Sequence, residues 1–136
     1  MGSFRLRMAG TGNAFAKTFF NNNAVVETPG YRMMVDFGIT APMALHRMQI
    51  PLNAVNAVLV THLHADHIGG LEELAFQSLY RYGHKDGKIV LWLPEALAEP
   101  LWENSLKGGL CDERNGFVSL DRYFDVRLMK EGTAYR

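Results

Sequence analysis

A chain of 136 residues, 48% apolar and 21% charged, is an ordinary size for one domain and can bury a core without disulfides or a structural metal as staples. Its 14 basic and 14 acidic side chains cancel, which disfavours a broad nucleic-acid-binding face. The single cysteine, Cys111, excludes an intrachain disulfide framework and fits a reducing compartment, and with no apolar signal core at Met1-Gly2-Ser3-Phe4 and no membrane-length apolar window, a cytoplasmic protein without a membrane partner is expected.

Phe4-Arg5-Leu6-Arg7-Met8 alternates apolar with basic residues, the period of a strand with one wet face, and Gly10-Thr11-Gly12-Asn13 ends it. Asn21-Asn22-Asn23 is turn chemistry ahead of a strand from Ala24 to Thr28; Pro29-Gly30 then turns the chain into a second apolar strand, Tyr31 to Phe37, closed by Gly38. Thr40 is placed to cap a short helix with Pro42 in its first turn, running towards Gln49 until Pro51 forces an end. Ala57 to Val60 is a short continuous apolar strand, expected to be buried on both faces. From Ile68 the apolar positions Ile68, Leu71, Leu74, Ala75 and Leu79 predict a helix to about Tyr82, stopping near Gly83. Lys88 to Leu93 is another buried strand, and Pro94-Glu95-Ala96-Leu97 opens a helix interrupted at Pro100 and finished by Gly108-Gly109. Leu110 to Ser119 reads as irregular, and Phe124 to Met129 alternates like a final strand. Strand, turn and helix alternate without linker or repeat, which predicts one layered α/β or α+β unit.

Between the fourth strand and its helix stands Thr61-His62-Leu63-His64-Ala65-Asp66-His67-Ile68-Gly69-Gly70, which holds three of the chain's five histidines. Side chains alternate along an extended segment, so His62 and His64 project from one side and can grip a first ion, while Asp66 and His67 at the helix entrance can turn towards a second. Imidazole nitrogen and carboxylate oxygen suit Zn2+ and also Mn2+, Fe2+ or Co2+; a dinuclear hydrolytic site needs two such clusters some ~3.5–4 Å apart. The spacing differs from H-E-x-x-H, which sets its histidines one turn apart on a continuous helix. A random match to H-x-H-x-D-H in a chain of this composition has odds of roughly 3 in 10,000, which leaves a merely solvated polar loop as the poorer reading. Gly69 and Gly70 behind the donors leave room for close backbone approach.

Other features have blander explanations. Gly10 and Gly12 lack the Lys-Ser/Thr of a phosphate loop and the full dinucleotide fingerprint, so they read as a turn. His46 on a short helix and His84 in a polar loop read as surface or half-buried histidines, and Phe19-Phe20, Trp92 and Trp102 as core or interface aromatics.

The histidine motif, with an apolar strand before it and an amphipathic helix after it, resembles the signature of the metallo-β-lactamase fold hydrolases. That resemblance implies an αββα sandwich in the α/β class, of which this chain would be the N-terminal half, with two Zn2+ ions in the complete site. Met33-Met34-Val35-Asp36-Phe37-Gly38 is similar to the family's strand ending in aspartate and glycine, which implies that Asp36 orients the metal loop from behind; hydrogen bonding at a strand end is the simpler role. Met8-Ala9-Gly10-Thr11-Gly12-Asn13-Ala14-Phe15 followed by Asn21-Asn22-Asn23-Ala24 resembles the phosphodiesterase branch that includes tRNA 3′-processing ribonuclease Z and the phage anti-Pycsar cyclic-nucleotide phosphodiesterases. Together these matches cover residues 4 to about 93.

The family's second half supplies a further histidine, a bridging aspartate and a last histidine, and nothing after His84 matches them. His62, His64, Asp66 and His67 alone give each ion two protein groups, whereas stable zinc sites have three or four. Residues 1–136 are therefore expected to form a single partial domain, truncated or segmental, whose site a second copy or a complementary half would complete. So completed, the resemblance implies a metal-dependent phosphodiesterase acting on a small substrate such as a cyclic mononucleotide, with Asp66 and His67 as candidate catalytic residues and the proton donor in the absent half. A tRNA 3′-processing endonuclease is the enzyme alternative; lactone, thioester or β-lactam hydrolysis stands behind both. An inert half-domain that binds metal weakly is the alternative of another class, and an exposed apolar sheet face would mark it.

Overall fold

The computed structural model describes residues 2–85 and 87–136. Six strands form one sheet in chain order: β1 Arg5–Gly10, β2 Asn23–Thr28, β3 Tyr31–Val35, β4 Ala57–Leu59, β5 Val90–Pro94 and β6 Asp125–Met129. The first three strands form an antiparallel meander, and β3 to β6 run parallel, each joined to the next by a helical crossover. The α/β class expected from the sequence is what is found.

Strand register sorts the side chains into two faces. Val25, Met34, Val58 and Leu91 lie side by side across β2 to β5 on the inner face, all completely buried. Against them pack Ala41 and Leu45 of α1 (Ala41–Arg47), Leu71, Leu74 and Ala75 of the third helix, and Leu101, Trp102, Leu106 and Leu110 of the last helical run. The opposite face carries two registered rows, Leu6, Val26, Met33, Ala57, Val90 and Asp125, then Met8, Ala24, Val35, Leu59, Trp92 and Arg127. Among the described residues no helix packs on those rows. Leu59 is only half-buried, whereas Ala57 on the same face and Val58 and Val60 are completely buried, so the expected burial of β4 on both faces holds for all but Leu59. Leu6 and Met8 of β1 are likewise on the bare side, whereas Ala9 packs against the core.

Several boundaries differ from the sequence expectation. β3 stops at Val35 rather than Phe37, because Asp36 has φ +63° and leaves the extended region. The helix expected from Ile68 is two pieces, α2 Ala65–Ile68 and α3 Leu71–Phe76, the latter continued by a π turn over Gln77–Arg81. Pro100 lies in the first turn of α4 (Ala98–Leu101), where a missing N–H costs no ladder bond, so it does not interrupt the helix. A π turn, Trp102–Leu106, carries the chain into α5 (Lys107–Leu110), which runs through Gly108-Gly109 instead of ending there. Thr40 stands at the start of α1 but makes no side-chain cap bond. Phe19 is 62% exposed and so is no core residue, whereas Trp102 is buried. Among the described residues no helix is long and apolar enough to cross a membrane.

Candidate metal centre

Parallel strands bring their carboxyl ends to one rim, and the rim of β3 and β4 carries the histidine turn. Leaving β3, the Asp36 N–H donates to the Leu59 carbonyl (2.7 Å), which sets the two strand ends side by side. Its buried carboxylate then accepts three contacts. The Thr61 N–H donates to Oδ1 (2.8 Å), the Thr61 hydroxyl donates to Oδ2 (2.7 Å), and His67 Nδ1 lies 2.7 Å from Oδ2. A carboxylate with two lone pairs per oxygen accommodates this set, and Asp tolerates the left-handed φ better than most residues. Asp36 thus ties the beginning of the turn to its end.

The segment after Asp36 runs hard against the turn. The Phe37 N–H donates to the His67 carbonyl (2.8 Å), Ile39 to Ala65 (3.2 Å) and Gly70 to Phe37 (3.0 Å). A Cβ on Gly38 would run into the Asp66 carbonyl oxygen, and one on Gly70 into the Gly38 carbonyl and the Phe37 ring. Close approach is therefore the reason for Gly38 and Gly70, as the sequence suggested for the latter.

This packing gathers the predicted donors. The His62 and His67 ring centroids are 3.9 Å apart and those of His62 and His64 4.8 Å apart. His67 Nε2 lies 3.1 Å from Asp66 Oδ2. His67 thus stands between two carboxylates, and in the tautomer whose Nδ1–H donates to Asp36 its Nε2 lone pair faces the Asp66 oxygen. In that tautomer the two lone pairs suit a shared cation; a proton on Nε2 would instead make the contact a hydrogen bond. About 3.3 Å is also the edge of a tetrahedron with ~2.0 Å bonds, the geometry of zinc with nitrogen and oxygen ligands. The donor chemistry fits a divalent ion to that extent. Among the described residues, however, no three His, Cys, Asp or Glu side chains are grouped so as to hold one ion. His62 and His64 are held less firmly; Thr61 Oγ1 lies 3.1 Å from His62 Nδ1, and His64 is exposed.

Two asparagines that the sequence marks only as turn residues brace the site. Asn23, 1% exposed, donates from Nδ2 to the Asp66 carbonyl (3.1 Å) and accepts the Gly38 N–H at Oδ1 (2.9 Å). Asn21 exchanges two bonds with Thr40, its N–H donating to Oγ1 (2.8 Å) and its Oδ1 accepting the Thr40 N–H (3.2 Å). This is where the Thr40 hydroxyl is spent instead of capping α1. Sequence alone offered no signal beyond the residue type, since the partners are 19 and 43 positions away. The loop before them folds on itself, with Gly12 donating to the Phe20 carbonyl (2.7 Å), so Gly10 and Gly12 serve backbone approach in a turn beside the site.

The remaining histidines stay apart. His46 is exposed on α1. His84 has φ +51° and lines a small cavity with Asn53, Asn56, Ser78 and Lys88, where burial first, and then the Lys88 charge, lowers its pKa below the usual imidazole value.

The family model described as anti-Pycsar protein Apyc1 matches residues 4–136. The chain belongs to that family. A relative of that name from Paenibacillus xerothermodurans is 46% identical over 133 residues, covering 98% of this chain and 52% of the relative. Another Apyc1, from Saccharibacillus brassicae, is 51% identical over 127 residues, covering 93% and 50%. The chain thus spans about half the length of the curated relatives it matches. Among solved structures, the metallo-beta-lactamase fold protein YhfI from Bacillus subtilis superposes with TM-score 0.71 at 17% identity, over 94% of this chain and 46% of that one. The short form of human tRNase Z superposes with TM-score 0.62 at 22% identity, over 90% and 44%. These structural likenesses show the fold.

Proposed function

We propose that the chain is the metal-donating half of a metal-dependent phosphodiesterase that hydrolyses cyclic nucleotides. The observation that carries this is the apposition of His67 Nε2 and Asp66 Oδ2, with the far side of the imidazole fixed by Asp36. His62 and His64 would hold one ion, and Asp66 and His67 the other. Zn2+ is the first choice for such donors, with Mn2+ or Fe2+ as alternatives. When bound, the ions supply Lewis-acid stabilisation of charge on phosphorus-bound oxygens and a water more acidic than bulk.

The residues of this chain have separate tasks in that chemistry. Asp36 holds the His67 ring in one tautomer and one orientation, so that Nε2 is always the outward nitrogen. Asp66 sets an anionic oxygen beside it, and Asn23 fixes the Asp66 backbone. The proton for the leaving oxygen comes from outside these groups, each of which is committed to a cation or to Asp36.

Family membership supports a small phosphodiester, and the balanced charge argues against long RNA, which needs a basic track. The likeness to human tRNase Z is one of fold and gives transfer-RNA processing no further weight. A chimera joining residues 1–136 to the C-terminal half of the Paenibacillus xerothermodurans relative tests the proposal. It should open 3′,5′-cyclic nucleotides to nucleoside monophosphates, lose this activity with a chelator, and lose it in Asp66→Ala. A folded, metal-loaded chimera that leaves cyclic nucleotides and bis-p-nitrophenyl phosphate intact would refute it.

A further inference from the structure

At the end of the sheet away from the histidine turn, three arginines meet one carboxylate. Strand register sets Arg5 of β1, Glu27 of β2 and Arg32 of β3 side by side, on the helix-bearing face that Val25 shares two positions along β2. Arg7, opposite Val25, reaches along that face and clamps Glu27 with Nε (3.1 Å to Oε2) and Nη2 (2.8 Å to Oε1). Arg32 Nε donates to the same Oε1 (2.7 Å), and its Nη1 to the Ala54 carbonyl (3.3 Å). The hydrogen bond from Arg7, and then that from Arg32, hold the Glu27 carboxyl below its ordinary pKa, so its charge is spent on these two partners. Arg5 lies directly across from Glu27 and yet, among the described residues, pairs with no carboxylate.

This row walls an open groove of about 500 Å³ that Thr28, Tyr31 and Asn56 also line, and Glu27 is the one acid lining it among the described residues. Asn56 Oδ1 accepts the Arg32 N–H (2.7 Å), which leaves the Asn56 amide hydrogens as donors. Three guanidiniums against one carboxylate leave a local surplus of two positive charges, in a chain whose 14 basic and 14 acidic side chains otherwise cancel. A fixed surplus of one sign in a concave place concentrates ions of the other sign, and a guanidinium fork matches phosphate oxygens in pairs.

We propose that this groove binds the dianionic phosphate of a phosphate monoester, with Arg5 as its principal ligand and Arg32 and Asn56 as flanking donors. A monoester balances the surplus of two charges, whereas a diester phosphate carries one. Arg5 opens β1 and Gly10, paired with Asn23, closes it, so about 17 Å of strand separates the groove from the metal rim. The proposal therefore stands apart from the metal donors. Under the phosphodiesterase reading, the released nucleoside monophosphate is a ligand of the right class and the cyclic substrate is not.

The test is a titration of the zinc-free 136-residue chain, followed by 1H–15N spectra, at about pH 7.5, where a monoester phosphate carries close to two negative charges. The probes are inorganic phosphate, ribose 5-phosphate, adenosine 5′-monophosphate and dimethyl phosphate. The first three should shift the amides of Arg5, Thr28, Tyr31 and Arg32 and leave those of His62 to His67 in place, with dimethyl phosphate weaker by about tenfold. Arg5→Gln should weaken phosphate binding about tenfold without moving the melting temperature, because Arg5 is exposed. Arg5→Lys, which keeps the charge and loses the fork, should recover part of that loss. Adenosine monophosphate binding tighter than ribose 5-phosphate gives the rest of the groove to a nucleobase beside Tyr31; equal affinities give it to phosphate monoesters at large. Amides of the groove that stay still at millimolar phosphate, an Arg5→Gln variant that binds as well as the wild type, or equal binding of dimethyl phosphate would overturn the proposal. The phosphodiesterase reading is untouched by any of these results, since the chimera tests it separately.

Discussion

The two ends of the histidine turn are built differently. Asp66 and His67 belong to a helical turn whose backbone is fastened to Phe37, Ile39 and Asn23, and His67 is bonded to a buried carboxylate. His62, half-buried, and His64, exposed, follow a strand end with one side-chain hydrogen-bond contact between them, His62 to Thr61, besides the packing of the His62 ring on those of His64 and His67. One arm is set before any ion arrives; the other can adjust. In a site finished from outside, a fixed arm gives position and an adjustable arm accommodates the incoming ligands, at some cost in side-chain entropy.

Substitutions can break this contrast. The largest effect is expected for Gly38→Ala, where the new methyl meets the Asp66 carbonyl and neither backbone can yield without breaking bonds to Asn23 and Phe37; chemical denaturation should show a loss of about 3 kcal/mol or more. Asp36→Asn keeps the size and tolerates the left-handed backbone, but its single carbonyl oxygen cannot accept the Thr61 N–H on one side and the Thr61 hydroxyl and His67 on the other. Urea titration should give a loss of about 2 kcal/mol, and calorimetry a zinc affinity weaker by roughly 10–100-fold. Asn23→Ala removes two bonds from the fixed arm and should cost about 1–2 kcal/mol in the same assay.

Two smaller effects sharpen it. His84 lies outside both arms and has a folded-state pKa below the reference value of 6.5. The unfolded chain then takes up the proton more readily, so stability is complete above that reference value and declines as pH falls through it; the melting temperature of the wild type should drop more on acidification than that of His84→Gln. His64→Ala should change stability by no more than about 0.5 kcal/mol, whereas His67→Ala, which strips a partner from the buried Asp36, should cost about 1–2 kcal/mol. Equal losses for the two histidines would erase the distinction between the arms.

Much of this was legible from local pattern. The strands follow from period-two alternation and from turn pairs such as Pro29-Gly30, and the donors from the crowding of imidazoles after an apolar strand. What escaped depends on partners distant in sequence. Asn21 and Asn23 look like turn residues until Thr40 and Asp66 are placed beside them. Pro100 and Gly108-Gly109 look like breaks, yet the first falls in an opening turn and Gly109 lies where a Cβ would strike the Glu72 carboxylate. The bare sheet face was foreseen from the fold resemblance, but no local pattern tells a strand with one buried face from one awaiting a cover.

The most direct test of the central claim is a long-range 1H–15N spectrum of the histidine side chains, recorded while zinc is added. The account predicts a single His67 tautomer protonated at Nδ1 before titration, then a shift of its Nε2 resonance together with ring nitrogens of His62 and His64. A His67 protonated at Nε2 instead, or four donors whose signals do not move when zinc is present, would contradict it.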